Sequence, residues 1–174
     1  MEENLLLEKN RKTIKVISWV ILIAAAISVL SSMLGLMSTP FINSMQNSKL
    51  FHNKIEMNIT AIILLNLTKM LISIFILLSA IFVLQYKEMW RRQIITGLIL
   101  AIAYLMISPV ISYYNYPTFH FPIDPNMPAG FLESAKLMSI IFSYFWSVAW
   151  SVFFIIAILK YRKEEIKLLF KPIV

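Results

Sequence analysis

Cysteine is absent from the chain, which excludes disulfide exchange, thiolate nucleophiles and cysteine metal sites and leaves the redox compartment unread. Only three glycines occur, too few for a phosphate-cradling loop of the Gly-rich kind. Charge is scarce as well: 14% of residues carry one, against about a quarter in an ordinary soluble domain. No Asp or Glu falls in the long apolar runs, where proton- and sodium-coupled transporters place carboxylates, so transport of that kind is disfavoured. Serines are plentiful, but no residue within the runs offers them a general base except Lys69. An enzyme is therefore not expected, and neither is a cofactor.

What the chain has in abundance is apolar surface. Hydrophobic residues make up 59% of 174 positions, with a mean hydropathy of +0.76. Such an excess has to meet lipid rather than water. Four apolar stretches approach the ~20 residues that carry a helix across ~30 Å of hydrocarbon. They run from about Val16 to Met37, to Tyr86 from a start between Ile59 and Met70, from Ile94 to Tyr114, and from Leu137 to Leu159. The first exceeds the hydrophobic core of a signal peptide and reads as a membrane helix despite its basic flank. The expected architecture is an all-α, antiparallel bundle of four transmembrane helices forming one domain over 1–174. The helices are expected at about 14–38, 59–86, 92–114 and 135–160, with a short inner hairpin and ordered outer loops.

Lys and Arg set the expected orientation. Lys9, Arg11, Lys12 and Lys15 precede the first run, and Lys87, Arg91 and Arg92 lie between the second and third. Lys160, Arg162, Lys163, Lys167 and Lys171 follow the fourth. All twelve fall on one side, whereas only Lys49, Lys54 and Lys136 fall on the other. The basic side is expected to be cytoplasmic, with both termini there, in a plasma (inner) membrane. The net charge of +7 then matches an anionic inner leaflet, and a nucleic-acid partner is not expected.

The two outer connections differ in character. The first, about Ser38 to Asn58, mixes Asn, Ser and Gln with Phe41, Ile42, Leu50 and Phe51. The second, about Asn115 to Glu133, holds Pro117, Pro122, Pro125 and Pro128, which forbid a long helix and favour extended or turn geometry. Its Tyr116, Phe119 and Phe121 suit the headgroup level, either as a cap on the helix ends or as a partner surface. His52, His120, Asp124 and Glu133 have no recognised ligand spacing, so no metal is expected. Asn58-Ile59-Thr60 and Asn66-Leu67-Thr68 match the glycosylation pattern but lie in or against the membrane.

Lys69 is the one charge well inside a run, and such a residue is by default a candidate site. Counted from the basic side it lies near the far rim, where a lysine stem snorkels outward. Asn66, Lys69 and Ser73 nevertheless share a helix face and form a possible polar patch for an anionic headgroup or solute.

The fourth run carries Ala135, Ser139, Ser143, Ser147 and Ser151 at intervals of four, a stripe of small residues that permits close helix packing. Phe142, Trp146, Trp150 and Phe154 flank it. Serines bonded to their own helix carbonyls favour packing over a polar pore. Ala24, Ser28 and Ser32, with Ser31 and Gly35 beside them, offer matching material on the first helix, as do Gly97 and Ala101 on the third. The fourth helix is therefore expected to dock on the first or the third. Pro109 is expected to kink the third helix or loosen its last turns.

Between the second and third runs the chain reads Lys87-Glu88-Met89-Trp90-Arg91-Arg92. This resembles the Lys-Glu-Trp-Ala-Arg type of loop found in small uncharacterised bacterial four-helix integral membrane proteins. Here an extra residue separates the glutamate from the tryptophan, and Arg follows Trp directly. The resemblance covers only the end of the second helix and the start of the third; it implies a bacterial inner membrane and no activity. With packing stripes plentiful and chemistry scarce, the expected function is non-catalytic: a partner-binding, modulatory or immunity-type protein, with a membrane protein or a second copy as partner. The alternative is a small oligomeric channel or transporter for an anionic or polar solute.

Overall fold

The computed structural model describes residues 2–47, 55–56, 58–115, 118–119 and 131–170. Its main elements are α1 (Glu2–Asn47), α2 (Ile59–Leu84), α3 (Glu88–Tyr114), α4 (Phe131–Arg162) and a short α5 (Glu164–Leu168). Two two-residue strands, β1 (Ile55–Glu56) and β2 (Thr118–Phe119), pair antiparallel and tie together the connections that follow α1 and α3. The first four helices are each long and apolar enough to cross a membrane. Lys49, Lys54, His52, His120, Asp124 and Lys171 lie outside the described residues, and Ala135 and Lys136 are placed only by their helical backbone.

α1 is longer at both ends than its apolar run. Upstream, Leu7, Asn10 and Ile14 face inward while Glu8, Lys9, Arg11 and Lys12 face out, and a Glu8–Lys12 ion pair supports the exposed face. Its fully inward line is Ile14, Ser18, Ile21, Ala25, Ser32 and Thr39. These steps of three, four and seven keep one face on its neighbour along the whole helix. α1 also continues past Pro40.

Asn58 caps α2, its Oδ1 accepting from the Ala61 N–H at 3.1 Å. That structural duty accounts for the first glycosylation-like string. α2 stops where Tyr86 takes a left-handed conformation, φ 56°, and the chain reverses over Gln85, Tyr86 and Lys87. α3 starts four residues earlier than the expected 92 because Glu88 sits in the first turn, where an acid favours the helix dipole. Pro109 is buried and α3 continues past it to Tyr114, so the proline does not end the helix.

Packing is sequential: α1 lies on α2, α2 on α3, and α3 on α4. α1 and α4 barely touch, and α5 packs on both of them at the basic end. The core is concentrated there. Ile14, Val83, Ile94, Leu98, Tyr161, Ile166 and Phe170 are all buried, with Phe82 and Trp90 stacked beside them at 4.4 Å between ring centroids.

Both glycines within the helices mark close approaches, but neither faces α4. A Cβ on Gly97 would meet Ile76 Cγ1 of α2 at 2.9 Å, and one on Gly35 would meet Asn66 Oδ1 of α2 at 2.7 Å. α4 instead docks on α3 through the basic half of its serine stripe, where Ser147 and Ser151 are buried while Ser139 and Ser143 are exposed. The stripe therefore packs over only half of its length.

Candidate functional site

The basic end is closed by a polar clamp. Arg91 holds Glu88 with two bonds, Nε at 2.7 Å and Nη2 at 2.5 Å, and donates from Nη1 to the Tyr161 carbonyl at 2.8 Å. That links the start of α3 to the end of α4. The Tyr161 and Ser18 hydroxyls share a buried hydrogen bond of 2.7 Å, which links α4 to α1. Asn10 donates to Glu165 of α5 at 3.3 Å. Tyr86 packs on Phe170, and the Arg11 guanidinium lies 5.3 Å from the centre of its ring. Burial pushes the Tyr86 hydroxyl above the ordinary tyrosine value, with Arg11 acting the other way.

Beyond this clamp α1 and α4 part, and a cavity of about 600 Å³ opens between them. α2 and α3 form its floor. Ala24, Ser28 and Ser31 of α1 line one side, and Trp146, Trp150 and Phe154 of α4 line the other. Near the clamp its walls are Ile21, Ile72, Ile76, Ala101 and Phe154. Toward the opposite end polar groups collect: Ser28, Ser31, Lys69, Ser73 and Tyr104. Ile23, Ile27 and Trp146 stand exposed at its rim, 53%, 61% and 57% accessible, so the cleft is open at the side.

Among the described residues Lys69 is the only charged one lining the cleft. Its Nζ donates to Ser31 Oγ at 2.7 Å, and the Ser31 hydroxyl donates in turn to the Ser28 carbonyl at 3.0 Å. The lysine thus reaches sideways to α1. Asn66, three residues before it, abuts Gly35, four residues after Ser31, so Ser31 stands at the level of Lys69 itself. The outward snorkelling expected from depth alone is replaced by this lateral bond. Among the described residues no carboxylate pairs with Lys69.

The expected polar patch is divided. Lys69 and Ser73 line the cleft, but Asn66 turns to Gly35 and donates Nδ2 to its own helix at the Ile62 carbonyl, 3.1 Å away. Ser147 and Ser151 belong to packing, and Ser151 Oγ is buried without a hydrogen-bond partner. Serines do return to their own helix on α1, where Ser31, Ser32 and Ser38 bond the carbonyls of Ser28 and Gly35. The stripe residues of α4 lack that arrangement. Sequence reasoning missed Ser31 as the lysine's partner and Tyr104 as a wall residue, whose hydroxyl donates to the Leu65 carbonyl at 3.3 Å.

Four apolar helices and an apolar side cleft make this a helical, multi-pass membrane protein. Comparison with family models, with curated proteins and with solved structures finds no match.

Proposed function

We propose that the protein is a non-catalytic binding protein of the membrane interior that takes up a membrane-embedded component in the cleft between α1 and α4. The observation that carries this reading is the cavity itself: about 600 Å³, laterally open, and left unfilled by the side chains of the described residues. Cavities of a few hundred Å³ with apolar walls and a few converging polar groups are the usual form of small ligand sites. In this reading the chain is an antiparallel bundle in a bacterial inner membrane. Both termini are cytoplasmic, and the β1–β2 pair joins the two outer connections. Its task is modulatory or of the immunity type.

The alternative of a channel for an anionic or polar solute draws less support. Between Ser73 and the clamp the cleft walls are Ile21, Ile76, Ala101 and Phe154, which give an ion no polar groups to follow. The binding reading is tested by purification in a mild detergent followed by native mass spectrometry. The intact protein is expected to retain a stoichiometric component that Ala24→Phe, which fills the cleft, displaces. A protein that carries nothing, with Ala24→Phe indistinguishable from it, would overturn the reading.

A further inference from the structure

Lys69 sets a chemical requirement on whatever occupies the cleft. The Lys69 ammonium, at the polar end of the cleft with Ser28, Ser31, Ser73 and Tyr104, is held by one neutral hydroxyl, and a charge at membrane depth is usually paired. Among the described residues none supplies a carboxylate, and an anionic ligand would complete the pair. Its charge is matched by Lys69 at the polar end of the cleft, and the walls toward the clamp are apolar. The ligand is therefore an amphiphile with a single negative head.

Size and depth narrow it further. From Val20 to Ser31 the cleft runs along about 16 Å of α1. A cleft of that length, about 600 Å³ in volume and open along its side, has room for one hydrocarbon chain. Lys69 lies about 22 Å from the basic end of α2, hence about 8 Å beneath the far edge of a ~30 Å hydrocarbon core. A phosphodiester headgroup lies outside that edge and holds its water strongly. A carboxylate borne directly on the chain has no further headgroup to drag inward.

We propose that the cleft binds a long-chain carboxylate, with its hydrocarbon chain between α1 and α4 and its head group paired with Lys69 beside Ser31. This rests on the cleft being a binding site and adds the identity of the ligand.

Trp146 and Trp150 on the cleft wall provide the readout. The full chain carrying Trp19→Phe and Trp90→Phe, which retains only those two tryptophans, is placed in phosphatidylcholine nanodiscs. It is then titrated with stearate brominated in mid-chain. Saturable fluorescence quenching is expected, with binding about tenfold weaker after Lys69→Gln and largely kept after Lys69→Arg, since one charge-assisted bond is lost only in the former. The brominated methyl ester, of equal chain length, should quench without saturation. Equal behaviour of acid and ester, or full affinity in Lys69→Gln, would overturn the proposal. If Ala24→Phe still displaces a component from the purified protein in that event, and the component is a protein or a zwitterionic lipid, the binding reading stands and only the carboxylate fails. If Ala24→Phe displaces nothing, both fall together.

Discussion

Tyr161 and Ser18 are the residues on which the joint between α1 and α4 turns. Their hydroxyls satisfy each other where water does not reach, so removing one orphans the other. Tyr161→Phe and Ser18→Ala are each expected to cost about 1–3 kcal/mol. The double variant should cost less than the two added together, and a double-mutant cycle followed by unfolding in mixed micelles measures the difference. Tyr86 presents the opposite case, because its hydroxyl is buried without a hydrogen-bond partner among the described residues. Tyr86→Phe is expected to leave stability unchanged or raise it by about 1 kcal/mol at neutral pH. Since the folded state holds this hydroxyl above its ordinary value of 10.0, its contribution is intact below that pH and is lost as pH rises through the shifted value. The alkaline limb of stability for Tyr86→Phe should accordingly fall less steeply, and an identical limb would show that the group is irrelevant there. Lys69 was legible in the sequence as an unusual charge, but its partner was not. Ser31 lies as far along its helix from the basic side as Lys69 does along α2, and that matching depth was the available signal.

At the level of elements, the helices were legible because hydrophobic run length is a strong signal in a membrane chain. Their pairing was not. Small residues announce that backbones approach closely but not which neighbour approaches, and Gly97 serves α2 rather than α4. A side chain there has to displace buried Ile76 and half-buried Phe75, so Gly97→Leu is expected to cost about 1–3 kcal/mol, read from unfolding in micelles. Gly35→Ala should cost less, because the atoms it meets are the end of the Asn66 side chain. The α3–α4 joint depends on Arg91, whose planar fork serves a carboxylate and a carbonyl at once. Lysine has no such fork, so Arg91→Lys is expected to lose about 1–3 kcal/mol despite keeping the charge. α5 gave no advance signal, since five residues are too few for periodicity to declare itself.

For the whole molecule, the distribution of cations makes a prediction that the cysteine-free chain is well suited to test. Ser44→Cys and Asn58→Cys should react with a membrane-impermeant maleimide in intact cells, while Lys12→Cys and Lys163→Cys should react only after permeabilisation. The reverse pattern would invert the proposed orientation. The cleft was beyond sequence reasoning for a plain reason: it is defined by two helices, α1 and α4, failing to meet, and nothing in either helix alone records a gap. That same gap, closed at the clamp and open along its side, also decides how a ligand arrives. In the proposed reading, a molecule already dissolved in the bilayer enters laterally and never has to pass an aqueous mouth. Occupancy then follows the ligand's mole fraction among the lipids. Diluting the bilayer with inert lipid should empty the site, whereas diluting the surrounding buffer should leave it nearly full.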